Sequence, residues 1–498
     1  MRVDLPEQAS IIAKQLVRNP TLYIDGEWVA GAGTPFPVID PTQAMQLGEI
    51  NGASTVQVEQ AIMAARRSFD GGTWSRATPE SRAEVLVKLH HLMVEHQEAL
   101  IEIFITEGGC PRSLARTLNM EGPIESLRWI ADKAARGPAG GWVRTLNTDP
   151  WAKTRGLVQR EGYGVVTALT PYNVPYIAYV WKVAMALAAG CSVVLLPSPR
   201  AQLTALAFMR LVEQAGVPAG IANLVFGGPD IGRILTSHDA VDMVTFTGSN
   251  AVGADVMRQG AATSKKVLLE LGGKSPNIVL PGVNPADVAA ASLRRLFRNA
   301  GQGCAVTSRT LVPRESYDTY VEAARVTIPD IPIGDPWLEE TWVGPLIRDD
   351  HRARVEQAVH DEVGLGARIL AGGGPTNTSL GGYFMTPVLL GNLDNNAPIA
   401  QTELFGPVGV LIPYDSIDEA IGIANQTRYG LNANIWGDEE QAIAVALRIQ
   451  SGNVAINGGG PQRADIAFGG YKQSGIGGEG GDSGFEEFLE FKHIIIPA

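Results

Sequence analysis

One cysteine of the chain stands in a setting that could support nucleophilic chemistry. The 498-residue sequence contains Cys110, Cys191 and Cys304. Cys304 lies in NAGQGCAVTSR, between a predicted helix and a predicted strand, and Gly301 and Gly303 allow a backbone N–H to approach a ligand closely. A functional thiol there needs partial access to solvent and a lowered pKa. The alternative is a small buried hydrophobic side chain, the common state of free cysteine.

A carboxylate at the end of a predicted strand is the second candidate. Glu270 ends KVLLEL and is followed by Gly272 and Gly273, where it would otherwise face an apolar sheet surface. It could bind a ribose, because it follows a glycine turn by about the 20 residues of the dinucleotide fingerprint. It could also be a general base whose pKa is raised by burial. Spacing alone slightly favours the ribose.

Two turns complete the candidate chemistry. Asn173 lies in TPYNVP, where its amide would be catalytic only if it faced a developing oxyanion; otherwise it is an ordinary turn residue. The segment MVTFTGSNAVG places glycine and serine between a strand and a helix, where backbone N–H groups favour a phosphate. Because this is not a full GxGxxG, a tight turn without a ligand explains it equally well.

These candidates must be positioned by alternating strands and helices. Short apolar runs alternate with helical patterns from about residue 157, and a second alternation begins beyond about 272. Such alternation predicts βαβ units around buried parallel sheets. Before them, Ser54 and Gln57 form a capping box that starts an amphipathic helix, and a second helix is predicted over about 79–106. The length suggests two or three domains.

Composition argues against several other classes of function. The formal net charge is −12 and no basic run occurs, which is unlike a nucleic-acid surface. No apolar run approaches the roughly 18 residues of a transmembrane helix, and residues 1–10 do not resemble a secretory signal. The three cysteines are widely spaced and do not cluster with histidine as zinc ligands do. We therefore expect a cytoplasmic protein with no metal, nucleic-acid or membrane partner.

A series of motifs gives these separate candidates a common context. In order they are TPYNVP, WKVAMALAAG, FTGS, LELGGKSPNIV, GQGC followed by Arg309, ELFGPV, NQTRYGL, GNVAIN and FGGYKQSGIGGEGG. Together, from about residue 20 to the end, they resemble the aldehyde dehydrogenase superfamily. The resemblance implies oxidation of an aldehyde to its acid with reduction of NAD(P).

The resemblance assigns roles to the candidates. Asn173, Glu270 and Cys304 fall on the family's three catalytic positions. It implies that Cys304 attacks the aldehyde, that the Asn173 amide meets the oxyanion, and that hydride leaves to nicotinamide. Glu270 then becomes the base that activates water to hydrolyse the thioester, which speaks against the CoA-acylating branch. Lys182 and Glu479 match positions associated with proton relay or support of the site.

The resemblance also implies a set of cofactor contacts. Glu403 becomes the ribose contact, Phe405 lies beside the nicotinamide, and the FTGS turn holds the pyrophosphate region with Gly228 and Gly232. The full implied set is Thr170, Pro171, Tyr172, Asn173, Gly228, Gly232, Phe246, Thr247, Gly248, Ser249, Val252, Glu270, Leu271, Gly272, Cys304, Glu403 and Phe405.

The implied α/β fold has three parts. A Rossmann-like cofactor domain is expected in residues 1–136 and 158–271, and a second α/β catalytic domain in residues 272–468. A small β oligomerisation element is expected in residues 137–157 and 482–498. The closing FKHIIIP is an apolar edge strand that needs covering, so a homodimer or homotetramer is expected.

Departures from the family pattern concern the cofactor and the pocket. Leu196 and Pro199 replace the usual lysine and acidic residue of KPSE, and Arg200 is adjacent; NAD is expected, with NADP as the alternative. Val174 replaces a common aromatic residue, and NGGGPQRAD replaces a bulkier loop before Phe468. These changes predict a bulky or long apolar aldehyde. The particular aldehyde does not follow from the sequence.

Overall fold

The secondary structure of the protein alternates between helices and strands along most of its length. The computed structural model describes residues 3–19, 21–138, 140–376, 378–460 and 463–498. Its α-helices are α1 Ile11–Leu16, α2 Thr55–Gly71, α3 Pro79–Glu95, α4 Gln97–Gly108, α5 Arg112–Arg116, α6 Gly122–Arg136, α7 Pro175–Tyr179, α8 Met185–Ala189, α9 Gln202–Ala215, α10 Pro229–Ser237, α11 Asn250–Ala261, α12 Pro285–Phe297, α13 Tyr317–Thr327, α14 Asp349–Gly364, α15 Pro398–Gln401, α16 Ile417–Asn425, α17 Glu439–Ala446 and α18 Gly481–Glu486.

The strands include those that the apolar runs after residue 157 predict, together with others that the sequence did not indicate. They are β1 Leu22–Ile24, β2 Glu27–Val29, β3 Pro35–Asp40, β4 Met45–Asn51, β5 Val143–Asp149, β6 Thr154–Gly162, β7 Val165–Thr170, β8 Ser192–Pro197, β9 Ala222–Leu224, β10 Met243–Thr247, β11 Lys266–Glu270, β12 Pro276–Val279, β13 Arg309–Pro313, β14 Arg368–Gly372, β15 Val388–Gly391, β16 Val408–Tyr414, β17 Asn432–Trp436, β18 Asn453–Ile456, β19 Gly475–Ile476 and β20 Leu489–Pro497.

The first large sheet brings several candidate residues to one edge. Within the described residues it has eight strands in the order β19-β11-β10-β7-β8-β9-β1-β2. The run from β11 to β9 is parallel, so the carboxyl ends of these strands meet at the same edge. Thr170 ends β7, Thr247 ends β10 and Glu270 ends β11, with Thr247 and Glu270 paired in register.

A second large sheet has its own buried core. Over the same described ranges its strand order is β14-β15-β16-β13-β12-β17-β18, and every pair except β14 with β15 is parallel. Separate clusters of buried apolar side chains fill the two sheet systems. The two largely parallel sheets confirm the predicted α/β class.

A small antiparallel sheet stands apart from both cores. In the described part of the chain it consists of β20, β6 and β5, with β20 paired to β6 along its whole length. Every residue of β5 is exposed, and Ile495 of β20 is 73% exposed. The closing strand therefore pairs away from the two large sheets.

The first predicted helix is confirmed, whereas the second is wrong in one respect. The Ser54 side chain caps α2 in the predicted capping box. The helix predicted over 79–106 is broken at His96 into α3 and α4. None of the residues 94–98 is buried, and the backbone of His96 leaves the helical conformation at φ −101° and ψ 11°.

Two further elements differ from expectation. The pattern over 176–189 is helical, but a π-helical turn at Val180–Ala184 separates α7 from α8, a distortion often found at functional sites. The many glycines of segment 469–481 predict a loop, but the segment contains the short strand β19 beside β11. No helix among the described residues is long and apolar enough to span a membrane.

Candidate active site

The loop before Cys304 has an unusual backbone. Asn299 and Ala300 adopt left-handed conformations with φ of 50° and 52°, and Gly301 follows at 70°. A left-handed conformation costs an L-residue about 1–2 kcal/mol. Such strain is typical of functional sites, where surrounding contacts must hold it. A Cβ on Gly301 would lie 2.2 Å from the Gly406 carbonyl oxygen, so the loop packs tightly against its neighbour.

Gln302 supplies the contacts that hold this loop, and the sequence analysis did not identify it. Its buried side-chain amide donates to the carbonyl oxygens of Asn299 and Pro345, both at 3.2 Å. Its Oε1 accepts from the Ile347 N–H at 3.0 Å and the Tyr172 hydroxyl at 3.2 Å. A buried polar side chain between two glycines beside a candidate nucleophile is the signal that could have revealed it.

Asn173 is brought to the same loop. It lies after β7, is buried, and donates from Nδ2 to the Gln302 carbonyl oxygen at 3.1 Å. A side-chain amide has two N–H groups, so one remains for another acceptor. This hydrogen bond joins Asn173 to the backbone two residues before Cys304, although the two residues are 131 positions apart in the sequence.

Cys304 is the accessible cysteine of the three. It is partly exposed, whereas Cys110 and Cys191 are buried. Burial of the thiol group raises the pKa of Cys304 to about 12, and the nearby charges of Glu403 and Glu270 add to the increase. The access expected of a functional thiol is found, but the expected lowering of its pKa is not. Burial of the thiol and the two nearby carboxylates explain why the pKa of Cys304 is raised and not lowered.

Glu270 is buried at the end of β11. Neither of its carboxyl oxygens has a hydrogen-bond partner among the described residues. Burial raises the pKa of Glu270 well above its usual value; the negative charge of Glu479 raises it further, and Lys182 opposes the shift. A Cβ on Gly469 would lie 3.5 Å from Glu270 Oε1, so the glycine-rich segment covers this carboxyl group.

A buried ion pair lies beside Glu270. Lys182, in the π-helical turn, pairs with Glu479 and also donates to the Thr245 hydroxyl at 2.8 Å. The Thr245 hydroxyl itself donates to Glu479 Oε1 at 3.3 Å. Glu479 is held by backbone hydrogen bonds to Phe468 in both directions. The structure therefore brings Lys182 and Glu479 together in one polar cluster.

Glu403 and Phe405 lie in the segment between α15 and β16. Glu403 Oε1 accepts from the Gly273 N–H at 2.9 Å, and burial raises the pKa of Glu403 to about 7. Phe405 has a left-handed φ of 60°, and its ring packs edge-on against Tyr172 at 6.0 Å between centroids. A Cβ on Gly273 would lie 2.4 Å from the Cys304 carbonyl oxygen, which requires glycine there.

The edge of the first sheet has features that suit a dinucleotide. The buried hydroxyl groups of Thr170 and Thr247 have no hydrogen-bond partner in the described part of the chain. Ser249 caps α11 through Val252, and Gly228 directly precedes α10. The N-termini of α10 and α11 thus lie at this edge. Backbone N–H groups at a helix N-terminus stabilise an anion. The residues present fit a nicotinamide dinucleotide.

The remaining predicted cofactor residues occupy this same edge or its turns. The Leu271 side chain packs closely against Gly253 of α11, where a Cβ would lie only 2.6 Å from it. Phe246 is buried near the end of β10. Pro171 and Tyr172 follow β7, Gly248 follows β10 and Gly272 follows β11, while Gly232 lies in α10. Cys304, Glu403 and Phe405 are contributed from loops of the second sheet.

Comparisons with known proteins agree over nearly the whole chain. The model of the aldehyde dehydrogenase family matches residues 28–494. A structure of aldehyde dehydrogenase C from Pseudomonas syringae, a cysteine-to-alanine mutant with NAD+ and octanal, superposes with a TM-score of 0.91 at 37% identity, covering 99% of this chain and 98% of that one.

Two further relatives are similarly close. Betaine aldehyde dehydrogenase from Staphylococcus aureus, solved with NAD+, has a TM-score of 0.94 at 32% identity and covers 100% of this chain and 98% of its own. The 3-sulfolactaldehyde dehydrogenase of Pseudomonas putida is 35% identical over 488 residues, 96% of this chain and 98% of its own. These matches confirm the predicted resemblance and the fold with its Rossmann-like cofactor region. The relatives are named for, or bound to, different aldehydes.

Proposed function

The chain belongs to the aldehyde dehydrogenase family, and from that premise we propose that it oxidises an aldehyde to the carboxylic acid with NAD, through a thioester on Cys304. The observation that carries the proposed mechanism is the pairing of an accessible thiol with an unpartnered buried carboxyl group. Cys304 is the partly exposed cysteine, and the charge of Glu270 acts on its thiol. Asn173 contributes an amide N–H to the same loop.

Cys304 and Asn173 act in the first half of the reaction. The thiol gives its proton to solvent water, and a bond forms between Sγ and the aldehyde carbon while the carbonyl π bond breaks and its oxygen becomes an oxyanion. The free N–H of Asn173 and the backbone N–H of Cys304 donate to that oxyanion. Gln302 keeps both donors in position, because its carbonyl oxygen binds Asn173 and its side chain holds the loop.

The cofactor is held at the edge of the first sheet. When bound, NAD accepts the hydride that converts the adduct on Cys304 to a thioester. Thr247, Gly248 and Ser249 would bind its pyrophosphate region with Gly228 and Gly232, and Glu403 would bind a ribose. The other residues of the implied cofactor set line the same turns and remain proposed contacts.

Glu270 acts in the second half of the reaction. Its carboxylate takes a proton from water, the water oxygen bonds to the thioester carbon, and the bond from that carbon to Sγ breaks. The buried pair of Lys182 and Glu479 lies close enough to affect the charge of Glu270. We propose that this pair passes the proton onward or keeps Glu270 oriented.

The choice between NAD and NADP depends on the turn after β8. Leu196 is buried in the sheet, Pro199 is exposed, and the Arg200 side chain has no ion pair among the described residues. Because position 199 is a proline, it carries no carboxylate that would repel a 2′-phosphate. NAD is the proposed cofactor, in keeping with the NAD+ complexes of the relatives. A ratio of kcat/KM favouring NADP by more than about tenfold, or 1.4 kcal/mol, would contradict this choice.

The division into domains and the assembly are also proposals. The first sheet suits the proposed cofactor domain of residues 1–136 and 158–271, and the second suits the catalytic domain of residues 272–468. The exposed sheet of β5, β6 and β20 is the proposed oligomerisation element of a homodimer or homotetramer. Free cysteines at all three positions agree with a cytoplasmic location.

The preference for a bulky or long apolar aldehyde stays a prediction. Val174 lies directly before α7, as a smaller residue than the usual aromatic one. Positions 461 and 462 of the loop of residues 457–465 lie outside the described residues.

A cofactor-reduction assay tests the proposed function. Absorbance at 340 nm is recorded with short, long-chain, aromatic and charged aldehydes, each with NAD and with NADP, for the wild type and Cys304→Ala. Cys191→Ala, which alters a buried cysteine, is the matched control. Signal from the wild type and the control alone supports the proposal. Equal signal from Cys304→Ala removes Cys304 as the nucleophile.

A further inference from the structure

A buried histidine connects helix α14 to the proposed nicotinamide contact. His351 lies in the first turn of α14, is 4% exposed, and its Nε2 lies 2.7 Å from the Phe405 carbonyl oxygen. Its Nδ1 lies 2.9 Å from the guanidinium of Arg354, which follows three positions later on the same helix. Both ring nitrogens of this histidine are therefore bound by the protein itself.

The two partners determine which ring nitrogen of His351 carries the proton. A carbonyl oxygen can only accept a hydrogen bond, and a guanidinium can only donate one. Nε2 therefore donates to the Phe405 carbonyl oxygen, and Nδ1 accepts from Arg354. The ring is thus neutral and is held as one tautomer. A second proton on Nδ1 would remove the Arg354 contact and place two positive charges side by side.

The surroundings of the ring favour the same neutral form. Burial of the imidazole lowers the pKa of His351, although the hydrogen bond to Phe405 opposes this shift. The positive charges of Arg354 and Arg348 lower the pKa further, and Asp350 partly offsets them. Because an ordinary histidine titrates near pH 6.5, a lowered pKa leaves His351 uncharged at neutral pH.

The backbone of Phe405 is strained and needs contacts that hold it. Its φ of 60° is left-handed, which is rare for a bulky residue and persists only where the surrounding structure determines it. Val355 lies four positions after His351, on the same face of α14, and packs against the residue that follows Phe405. A Cβ on that residue, Gly406, would lie 2.8 Å from Val355 Cγ1. The turn at Phe405 and Gly406 therefore rests on one face of α14.

The same turn contacts the loop of the nucleophile. Gly406 packs tightly against Gly301, three residues before Cys304. The Phe405 ring packs edge-on against Tyr172, whose hydroxyl donates to Gln302 of the cysteine loop. Contacts thus run from α14 through the Phe405 turn to the cysteine loop.

We propose that His351 is a positioning residue, which holds the Phe405 backbone in the conformation that receives the nicotinamide of the bound cofactor. It acts through the Phe405 carbonyl group, and Arg354 keeps its ring in the required tautomer. The inference rests on the proposed function, because Phe405 is a proposed cofactor contact. It adds to that site a residue outside the motifs that indicated the cofactor contacts.

A purely structural role for His351 makes a different prediction. If the histidine only stabilised the fold, its removal would lower the melting temperature and would affect all parts of the cofactor site alike. A positioning role instead weakens binding of the nicotinamide half selectively. It is also restored by a side chain that offers the same donor and the same acceptor.

Binding of NAD and of ADP separates these two roles. ADP carries the adenine half of the dinucleotide and presents no nicotinamide to Phe405. Isothermal titration calorimetry without an aldehyde gives the Kd of each for the wild type, His351→Leu, His351→Gln and His360→Leu. His360 is an exposed histidine of α14, so His360→Leu is the matched control and should bind both as the wild type does.

We expect His351→Leu to raise the Kd for NAD about tenfold, the scale of one buried hydrogen bond, and the Kd for ADP less than about twofold. A glutamine amide can donate to the Phe405 carbonyl oxygen and accept from Arg354, so His351→Gln should bind NAD within about threefold of the wild type. Melting curves establish that each variant is folded. If His351→Leu does not fold, His351→Asn replaces it, because its shorter amide cannot reach both partners.

The outcomes distinguish the inference from the proposed function. An unchanged Kd for NAD in His351→Leu, an equal loss for NAD and ADP, or a failure of His351→Gln to restore NAD binding overturns the inference and leaves the proposed function standing. A wild type that binds neither NAD nor NADP overturns the proposed function itself.

Discussion

Cys304 and Glu270 both hold their protons more firmly than free side chains do. Burial raises the pKa of each, and the charge of Glu270 contributes to the shift at Cys304. Because a general base must be deprotonated and the pKa of Glu270 is raised, the hydrolytic half of the reaction should become fast only at a pH above the usual titration range of a carboxyl group.

Replacement of the base should separate the two halves of the reaction. Glu270→Gln removes the proton acceptor and keeps the shape, so the thioester should form and then accumulate. We expect a burst of about one reduced cofactor per subunit followed by a steady rate at least 10²-fold lower, the usual scale of general-base catalysis. Stopped-flow absorbance and intact-mass spectrometry measure the burst and the acylated Cys304.

The exposed Glu440→Gln is the control and should turn over at the wild-type rate. Loss of the burst itself in Glu270→Gln would mean that this carboxylate also accepts the proton of the thiol. A wild-type steady rate would remove Glu270 from the mechanism.

Gln302 should matter for turnover more than for cofactor binding. Gln302→Leu leaves the Ile347 N–H and the Tyr172 hydroxyl without their acceptor, and an unsatisfied buried group costs about 1–3 kcal/mol. We expect kcat to fall more than tenfold because Asn173 and Cys304 lose their relative position. The Kd for NAD, measured by fluorescence, should change less than threefold. Gln357→Leu, an exposed glutamine, is the control; an unchanged kcat in Gln302→Leu would refute the positioning role.

The sequence was sufficient to predict Asn173, Glu270 and Cys304 as candidates, but not the contacts that make them a site. Residue type and motif order pointed to all three, because each stands in a recognisable local segment. Gln302 binds Pro345 and Ile347, more than 40 positions away, and no local pattern encodes such pairing. The direction of the Cys304 pKa shift likewise depends on burial and on distant carboxylates.

Among the elements, strands were predicted more accurately than helix interruptions. The apolar runs identified β7, β8, β10, β11, β13, β16, β17 and β18, because buried parallel strands are continuous in apolar residues. The break between α3 and α4 and the π-helical turn around Lys182 were missed. Both keep helical periodicity on either side, so the apolar pattern gives no signal for either interruption.

One helix start depends on a carboxylate from another helix. The Glu107 side chain of α4 accepts from the Leu203 and Thr204 N–H groups at 2.7 and 3.0 Å, capping α9, whose own preceding residue Ala201 has no capping side chain. Burial raises the pKa of Glu107 to about 7, from 4.5. Since the folded pKa is the higher one, the stability from the protonated form is complete below pH 4.5 and is lost as pH rises through 7.

Glu107→Gln should remove that pH dependence. The neutral amide resembles the protonated carboxyl group, so the wild type and the variant should melt similarly near pH 5. By pH 8.5 the wild type should have lost up to roughly 3 kcal/mol relative to the variant. Melting temperatures between pH 5 and 8.5 measure this difference, with the exposed Glu98→Gln of α4 as the control. A gap that stays constant with pH would contradict the assignment.

At the scale of the whole molecule, the site requires both large sheets. Glu270 and Thr247 come from the edge of the first sheet, whereas Cys304 and Glu403 come from loops of the second. The contact of Glu403 with the Gly273 N–H crosses between these two sets of loops. Neither sheet alone therefore holds the thiol, its proposed base and the cofactor contacts.

The exposed small sheet gives the last prediction, which concerns assembly. β20 is an edge strand with unpaired backbone groups on one side, and Phe491 and Ile495 are 47% and 73% exposed. An apolar edge strand of this length needs covering, and a second copy of the chain is the proposed cover. Ile495→Asp would place a charge in that contact, and burial of an unpaired charge is strongly unfavourable.

We expect the wild type to sediment as a dimer or tetramer and Ile495→Asp to shift to a smaller species by analytical ultracentrifugation. Leu447→Asp alters an equally apolar residue, 84% exposed, next to α17 and outside the small sheet, and should keep the wild-type mass. A monomeric wild type would contradict the assembly. An unchanged mass of Ile495→Asp beside an oligomeric wild type would place the interface elsewhere. Because the proposed catalytic residues all lie in one chain, a smaller species that still reduces NAD would show that assembly protects the edge strand without completing the site.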